Sequence, residues 1–476
     1  MEQENVKAAY VSDEAQKKAI EFGEGPLLIV AGAGTGKTRT IIERIAWLIK
    51  GKKAEPREIL ALTFSEKAAS EMEERLDRLV PYGIIETHIS TFHSFGRDII
   101  SDNFAELKIA PDWTVMKDTD AAVFIVENMD EFKTDIYRPL NNPHMYVMEL
   151  IKLISKLKDN LIDFGSYLEY AGELENRAQT DEEKEEAAKH LELAHFYRVY
   201  EELKIRKNRM DFGDLIMVPY TLLKSKASVR KKYRERYKYI LVDEFQDTNY
   251  AQFEFLKIIT GETGNITAVG DDDQMIYKFR GAAISNILGF RDFYKNSEIV
   301  VLRSNYRSGQ DILDASYKLI NNNTQRLENT LGIQKKLRSH YKPEYKINSL
   351  NVKLFEHYSD EADFIAGEIE RLALKGYYSY GDFAVLVRAK NDAKMVIKTL
   401  ERKGIPYVFS GDEGLFTKKE IQLLVNFCRI LSDPYDFNPI FDIAISDFYN
   451  IDPMVCLLYT SPSPRDRTRS RMPSSA

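Results

Sequence analysis

The sequence predicts an α/β protein in which parallel sheets carry crossover helices and a helical insertion interrupts the first of two sheet domains. Three observations support this fold class. Short apolar runs alternate with helical patterns over the first hundred residues, long charged helical patterns fill the region from about Phe95 to Met210, and strand-like runs return after it. Strands and helices that alternate at this spacing are typical of parallel sheets.

The first sheet is predicted from apolar runs that are too short to be helices. Leu27–Ala31 and Ile59–Thr63 are expected to be buried strands, and Ile89–Phe92 ends a third. Arg39–Lys50 and Lys67–Val80 have apolar residues at helical spacing, so we predict that they are the crossover helices.

Later runs extend this pattern. Tyr239–Val242 and Ile266–Val269 are expected to rejoin the first sheet, which makes the first domain discontinuous. A third region is predicted to begin near Glu298 and to form a second α/β sheet. Its expected strands are Ile299–Leu302, Val352–Phe355 and Phe383–Val387, and its expected helices are Phe364–Lys375 and Asp392–Lys403.

Composition narrows the class of protein. With 476 residues, 44% of them hydrophobic and 30% charged, the chain can form roughly two to four globular domains. The sequence contains only two cysteines, Cys428 and Cys456, so neither a disulfide framework nor a zinc site is expected. No apolar run is long enough to span a membrane, and Met1–Tyr10 does not resemble a signal peptide. We therefore expect a cytoplasmic protein without membrane contact.

The net charge is −7, which disfavours a protein that binds phosphates by bulk electrostatics. Much of the acid lies in Glu169–Glu192, which is expected to be a solvated helix face. Any nucleic-acid site would therefore have to be a local groove.

A glycine-rich loop joins the first predicted strand to the first crossover helix. Its backbone N–H groups and the positive end of the helix are suited to phosphate oxygens. Lys37 is placed to reach the β and γ phosphates of ATP, and Thr38 is placed to bind Mg²⁺. The residues expected to bind ATP here are Ala31, at the position of the usual first glycine, and Gly32, Ala33, Gly34, Thr35, Gly36, Lys37, Thr38 and Arg39.

Two other strand ends supply groups that ATP hydrolysis needs. Asp243 and Glu244 end the apolar run that begins at Tyr239. The first carboxylate is suited to orient Mg²⁺, and the second is suited to act as general base on the attacking water. Gln274 follows the next predicted strand and is placed to sense the γ-phosphate. With the loop lysine, these side chains predict an ATPase that uses Mg²⁺.

Aromatic and basic residues follow several of the same strands, as suits stacking on bases and contact with a nucleic-acid backbone. Tyr277, Phe279 and Arg280 come directly after the glutamine, although for Phe279 a place in the core is an equally good interpretation. Phe64 follows the second strand and His93 the third. His93 is alternatively a buried histidine with satisfied hydrogen bonds, and no partners for it as a metal ligand are evident.

Taken together, these segments resemble the superfamily 1A DNA helicases of the UvrD, Rep and PcrA type, from about Val11 to about Ile451. The motifs that carry the resemblance are Gln16, Ala31–Thr38, Asp243–Thr248, Gly270–Gln274 and Asn305–Ser308, with support from Asp211–Leu215 and Gly404–Tyr407.

The resemblance implies two RecA-like domains, 1A and 2A, with ATP between them, and a helical insertion called 1B. It implies that Gln16 recognises adenine, that Tyr306 stacks on it, and that Arg307 reaches the γ-phosphate as an arginine finger. The strand-end aromatic residues and the histidine would line a groove for single-stranded DNA, or for DNA with a 3′ single-stranded tail. Movement along the strand would run 3′ to 5′.

The resemblance also implies domain limits: 1–95 for the first part of 1A, 96–212 for 1B, 213–290 for the second part of 1A, and 291–456 for 2A with the start of a further insertion, 2B. The late motifs of the family, including a second arginine finger, are not found in this sequence. We therefore expect an incomplete second domain that leaves ATP binding intact and strand separation weak or absent. Residues 457–476 are rich in Ser, Pro and Arg and are expected to be a non-native tail, with a basic nucleic-acid-binding tail as the alternative.

The leading hypothesis is an ATP-dependent 3′–5′ DNA helicase or translocase that acts on single-stranded DNA. One alternative is a non-catalytic module that binds ATP and single-stranded DNA. Another is the motor part of a helicase–nuclease. The sequence points to no particular protein partner.

Overall fold

The structure is a computed structural model that describes residues 12–80, 87–262, 264–275, 284–324, 326–341, 350–376, 378–410, 419–434, 437–446, 448–449 and 451. The chain divides into two compact units, Met1–Leu350 and Asn351–Ala476. The predicted tail, 457–476, lies outside the described residues.

The strands are short, as expected from the apolar runs. They are β1 (Leu27–Ala31), β2 (Ile59–Thr63), β3 (His88–Thr91), β4 (Thr114–Met116), β5 (Arg209–Asp211), β6 (Tyr239–Val242), β7 (Asn265–Gly270), β8 (Glu298–Leu302), β9 (Ser304–Asn305) and β10 (Arg338–Ser339).

Helices connect and cover these strands. They are α1 (Glu14–Ile20), α2 (Lys37–Lys50), α3 (Glu66–Leu79), α4 (Phe92–Asp102), α5 (Phe104–Leu107), α6 (Asp118–Glu127), α7 (Val147–Asp159), α8 (Phe164–Arg177), α9 (Asp181–Arg206), α10 (Asp214–Ser225), α11 (Ala227–Arg236), α12 (Tyr250–Thr260), α13 (Ile284–Phe293), α14 (Gln310–Ile320), α15 (Leu327–Leu331), α16 (Tyr358–Leu374), α17 (Ala393–Arg402), α18 (Lys419–Ser432) and α19 (Phe437–Ala444). None of these helices is long and apolar enough to cross a membrane.

A six-stranded parallel sheet in the order β3-β2-β6-β7-β1-β8 forms the centre of the first unit. Successive side chains of β1 point to opposite faces, so Leu27 and Ile29 pack in the layer of α1, α2 and α3. Leu28 and Val30 pack in the layer of α4, α10 and α12. Because helices cover both faces, these strands are continuous apolar runs, and the predicted α/β class with a parallel sheet is confirmed.

The position of β8 corrects one expectation. The sequence predicts that Ile299–Leu302 begins the second sheet, but β8 pairs in parallel with β1 in the first sheet, with Leu28 opposite Ile299 and Val30 opposite Val301. β1 therefore has β7 on one side and β8 on the other, and β8 is the last strand of the sheet on that side. The expected domain limit at 290/291 therefore separates β8 from the sheet to which it belongs.

Between β3 and β6 the chain forms a helical insertion with its own core. The predicted limits, 96–212, include most of α4, yet Phe95 and Ile99 of this helix belong to the core of the central sheet. The separate core extends from Met116 to Leu203 and is built by α6, α7, α8 and α9. β4 and β5 pair in parallel, so the chain enters and leaves the insertion at the same place.

A cluster of buried charges connects α7 and α9 of the insertion to β5 and α10. We call it the insertion cluster, and it contains Lys158, Lys204, Glu201, Asp211 and Asp214. The Nζ atom of Lys158 lies 2.8, 2.8 and 2.6 Å from oxygens of Glu201, Asp211 and Asp214, and that of Lys204 lies 2.9, 2.8 and 2.5 Å from oxygens of the same residues. Both lysine side chains are almost completely buried.

The described part of the second unit is helical, with α16 packed on α17. The predicted strands Val352–Phe355 and Phe383–Val387 are irregular segments instead. A strand depends on backbone hydrogen bonds to a neighbouring strand, and the described residues of this unit form no such pairing. Val352 is accordingly 94% exposed and Leu386 93% exposed, although both are apolar.

Candidate functional site

The glycine-rich loop lies between the carboxyl end of β1 and the N-terminus of α2, as the sequence predicts. Gly34 and Gly36 have positive φ angles of 74° and 85°, which side chains rarely allow. A Cβ atom on Gly34 would lie 2.7 Å from Cβ of Arg307, and one on Gly36 would lie 3.1 Å from Nε2 of Gln16. The loop is therefore shaped by close contacts that only glycine permits at these two positions.

The helix α1 holds Gln16 against this loop. Asp13 caps α1 by accepting a hydrogen bond from the Gln16 N–H, and the Asp13 N–H donates to Oε1 of Gln16. Gln16 then donates from Nε2 to the carbonyl oxygen of Thr35, at 2.9 Å. The hydroxyl of Tyr306 donates to the Asp13 carboxylate at 3.4 Å. Gln16 and Tyr306, both predicted to contact adenine, thus share Asp13 as a neighbour.

The charged residues predicted for catalysis meet beyond the loop. Lys37, Thr38, Asp243, Glu244 and Gln274 form what we call the loop cluster. The Lys37 ammonium donates to Glu244 at 2.6 Å and to Oε1 of Gln274 at 3.0 Å, and the Thr38 hydroxyl donates to Asp243 at 3.0 Å. The carboxyl ends of β1, β6 and β7 lie at one edge of the parallel sheet, which brings together residues that are more than two hundred positions apart.

The acidic pair has unusual electrostatics and an unusual backbone. Burial, and then the charge of Glu244, raise the pKa of Asp243 to about 6. The same two causes raise the pKa of Asp247 to about 6. Glu244 has a φ of 48°, a left-handed conformation that is uncommon for a residue with a side chain. Strained backbone and raised acid pKa values are both frequent at functional sites.

The donor atoms of the site fit a magnesium ion. Mg²⁺ prefers oxygen ligands, and the Thr38 hydroxyl and the Asp243 carboxylate adjoin each other. Burial and the charge of Glu244 raise the pKa of Asp243, and the charge of a bound divalent cation would oppose both effects. Thr38 and Asp243 are therefore the residues that would hold magnesium.

The segment after β8 folds over the glycine-rich loop. The side-chain amide of Asn305 donates to the carbonyl oxygen of Ala33 at 2.5 Å, and the Tyr306 N–H donates to the carbonyl oxygen of Gly34 at 2.9 Å. The Asn305 side-chain oxygen accepts from the N–H of Arg307 and so fixes the turn. Arg307 is exposed beside the loop. Arg39, also predicted to contact ATP, donates to Glu43 one turn along α2 at 2.5 Å.

The residues predicted to bind DNA are described only in part. Phe64 follows β2 and His93 follows β3, and these strands are neighbours with Thr63 opposite Thr91, so both lie at the same sheet edge as the loop. Phe64 is 40% exposed. His93 is packed edge-on against Phe212, and burial lowers its pKa.

Three other DNA-contact predictions, Tyr277, Phe279 and Arg280, lie outside the described residues.

The structure adds residues that the sequence did not single out individually. Gln246 donates to Glu244 at 2.7 Å and accepts from the Asp271 N–H at 3.0 Å, which links two strand ends. Asp271 accepts from Nε2 of Gln274 at 2.6 Å. The sequence shows that Gln246 lies near the acidic pair and Asp271 near Gln274. It does not show which of these side chains form hydrogen bonds with each other.

Two family models match the chain. The UvrD/REP helicase N-terminal domain matches residues 12–295, and the UvrD-like helicase C-terminal domain matches residues 300–452. These matches cover the central sheet, the helical insertion and most of the second unit.

Similar proteins include two bacterial helicases. The ATP-dependent DNA helicase Rep of Escherichia coli (strain K12) is 34% identical over 429 residues, which cover 88% of this chain and 58% of the relative. The ATP-dependent DNA helicase PcrA of Bacillus subtilis (strain 168) is 32% identical over 449 residues, which cover 92% of this chain and 54% of the relative. The chain thus spans somewhat more than half the length of these relatives. Because one family model alone covers more than half of the chain, the chain belongs to the UvrD/REP helicase family.

Proposed function

We propose that this chain is the motor of an ATP-dependent DNA helicase, and that it hydrolyses ATP to move on single-stranded DNA in the 3′ to 5′ direction. The observation that carries the proposal is the contact of Lys37 with both Glu244 and Gln274, next to the Thr38–Asp243 hydrogen bond. A phosphate loop, an acidic pair and a polar sensor at one sheet edge are the parts that phosphoryl transfer to water needs.

Each residue of the loop cluster has a role in this proposal. Lys37 binds the β and γ phosphates, and Thr38 and Asp243 would hold a magnesium ion that would neutralise negative charge on ATP. When the Lys37 ammonium moves from Glu244 to a phosphate oxygen, the Glu244 carboxylate is released to accept a proton from the attacking water. Gln274 senses the γ-phosphate, and Arg307 stabilises negative charge that develops on it.

The adenine is assigned to Gln16 and Tyr306, which adjoin the same aspartate. The DNA strand is assigned to Phe64, His93 and the segment that contains Tyr277, Phe279 and Arg280. Stacking on aromatic rings is tolerant of sequence, as a motor that steps along any strand requires. The division into the domains 1A, 1B and 2A remains part of the proposal, but its limits at 95/96 and 290/291 move so that α4 and β8 belong to the first sheet domain.

Phosphate release in the presence of single-stranded DNA tests the proposed hydrolysis. Lys37→Ala is expected to lower the rate by about 10³-fold or more, because a charged group at the transferred phosphate is lost. Lys50→Ala, an exposed lysine at the far end of the same helix, is the matched control and should keep the wild-type rate. Binding of a fluorescent ATP analogue without any release of phosphate by the wild type would instead identify a non-catalytic binding module.

Displacement of streptavidin from biotinylated oligonucleotides tests the direction of movement. The proposal expects ATP-dependent displacement from the 5′ end, which a 3′ to 5′ motor reaches, and none from the 3′ end. The opposite preference would contradict the assigned polarity, and displacement from neither end would contradict translocation.

A further inference from the structure

Three consecutive aspartates, Asp271, Asp272 and Asp273, follow β7 directly before Gln274. Charged residues from a segment more than fifty positions later contact all three. None of the roles assigned above uses this later segment. It nevertheless lies beside the residue that is proposed to sense the γ-phosphate.

Lys335 lies at the centre of this group. Its Nζ atom is 2.5 Å from an oxygen of Asp271, 2.5 Å from one of Asp272 and 2.7 Å from one of Asp273. An ammonium group has three donors, so each can point to a different carboxylate. The Lys335 side chain is only 5% exposed. Burial alone would lower the pKa of Lys335, but the three aspartates raise it above its ordinary value, so the positive charge is retained.

Asp272 and Asp273 have further contacts. The guanidinium of Arg326 donates to both oxygens of Asp273 at 2.8 Å, a bidentate geometry that is among the stronger ion pairs. The N–H of Leu327 donates to Asp272 at 2.8 Å. The space that a metal ion would need between the three carboxylates is filled by the lysine ammonium, so we assign the group to structure and not to metal binding.

Asp271 connects Lys335 to Gln274 of the loop cluster. One of its oxygens contacts Lys335, and the other accepts a hydrogen bond from Nε2 of Gln274 at 2.6 Å. Since the amide nitrogen of Gln274 is used in this way, its Oε1 atom faces the ammonium of Lys37, 3.0 Å away. The opposite orientation would place an NH₂ group against an ammonium. A continuous chain of contacts therefore runs from Lys335 through Asp271 and Gln274 to Lys37.

We infer that Lys335 is a positioning residue for ATP hydrolysis, which holds Asp271 and thereby sets the side-chain orientation of Gln274. The inference rests on the proposed ATPase function and assigns a new residue to the same site. Without Lys335, the buried aspartates repel one another, and the Oδ1 atom of Asp271 loses its ionic partner while it still accepts from the Asp273 N–H at 3.2 Å. Gln274 then loses a defined orientation, whereas the glycine-rich loop and Lys37 keep their own supports. The loss should therefore fall on kcat and not on the KM for ATP.

Steady-state phosphate release with single-stranded DNA tests the inference. Lys335→Met is expected to lower kcat about tenfold or more, with a KM for ATP that stays within about threefold of wild type. Lys336→Met is the matched control, because the neighbouring lysine is 60% exposed and pairs with Asp314 on the surface. It should keep the wild-type kcat. A wild type without ATPase activity would refute the proposed function, and the inference with it.

A double-mutant cycle distinguishes positioning from general damage. If Lys335 acts through Gln274, then Lys335→Met should cause no further loss of kcat in a Gln274→Ala background. An equal loss in both backgrounds, or a folded Lys335→Met protein with kcat within about twofold of wild type, would overturn the inference. If Lys335→Met does not fold, the double variant Lys335→Gln/Asp272→Asn replaces it, because it removes one charge of each sign. The cycle is then measured with this double variant in the wild-type and Gln274→Ala backgrounds, and the same two outcomes apply.

Discussion

The insertion cluster and the loop cluster both combine lysines with buried carboxylates, but they differ in how many ammonium groups each carboxylate contacts. In the insertion cluster, Lys158 and Lys204 each contact the same three carboxylates, and both are almost fully buried. In the loop cluster, Lys37 has two partners among the described residues, and the Glu244 side chain is 35% exposed. Each carboxylate of the first cluster thus contacts two ammonium groups, whereas in the second cluster Asp243 accepts from the Thr38 hydroxyl and Glu244 contacts one ammonium group.

The pKa values of one aspartate from each cluster show this difference, although burial also raises the pKa of Glu201 in the insertion cluster. Burial alone would raise the pKa of Asp211 in the insertion cluster, but Lys158 and Lys204 hold it well below its ordinary value. Asp243 in the loop cluster is also buried, and its pKa is raised to about 6 because the neighbouring Glu244 adds to the effect of burial. A buried carboxylate with a raised pKa is one that a cation can still stabilise. The two aspartates therefore differ because Asp211 contacts two lysines, whereas Asp243 lies next to a second carboxylate.

The largest effect is expected in the loop cluster. Glu244→Gln should lower the rate of DNA-stimulated phosphate release by about 10²- to 10⁴-fold, because the general base is lost while the shape of the side chain is kept. Binding of a fluorescent ATP analogue should persist. Glu235→Gln, an exposed change on α11, is the control for a general effect of losing a glutamate. A Glu244→Gln protein that keeps more than about a tenth of the wild-type rate would remove Glu244 from the role of base.

In the insertion cluster the expected effect is on stability. Lys204→Met should lower the free energy of unfolding by about 3–5 kcal/mol, because three buried carboxylates lose one of their two cations. Urea unfolding measures this loss. Lys189→Met on the same helix is the matched control, since Lys189 pairs with Glu185 near the surface and this substitution should change the stability much less. Equal stabilities of the two variants would show that the cluster is not a structural connection.

A smaller effect is expected at Asp159, which links the two regions. This residue follows Lys158 and accepts a hydrogen bond from Asn249, the cap of α12 that comes shortly after the acidic pair. Burial raises the pKa of Asp159 from 3.8 to about 6. The folded state therefore holds this proton more tightly than the unfolded state, and stability falls as pH rises from about 4 to about 6, by up to about 3 kcal/mol from this group.

Asp159→Asn should remove this contribution while an amide oxygen still accepts from Asn249. Urea unfolding at pH 4.5 and pH 7, compared between wild type and variant, measures the effect as a smaller loss of stability in the variant. The same pH dependence in both proteins would show that Asp159 titrates normally in the folded state.

The sequence predicted most of the central sheet and the members of the loop cluster. Apolar runs such as Leu27–Ala31 and Tyr239–Val242 are found as strands with the predicted limits. The same reasoning was wrong for Val352–Phe355 and Phe383–Val387, which are not strands. Apolar residues indicate that a segment is able to form a strand, but they do not show that a neighbouring strand is present to pair with it. It also placed β8 in the wrong sheet, because periodicity contains no information about pairing.

The sequence by itself determined the glycine-rich loop, the acidic pair, the order of strands along the chain and the family, because each of these depends on residues that are consecutive or regularly spaced. Only the tertiary structure decided which charges meet. Lys37 finds Glu244 at a separation of 207 positions, and Lys335 finds Asp271 at a separation of 64. Contacts of this kind arise when parallel strands align their carboxyl ends and bring distant segments together. Local patterns specify which helix or strand each segment can form. Only tertiary packing specifies which buried carboxylates contact lysines and which remain able to bind a ligand.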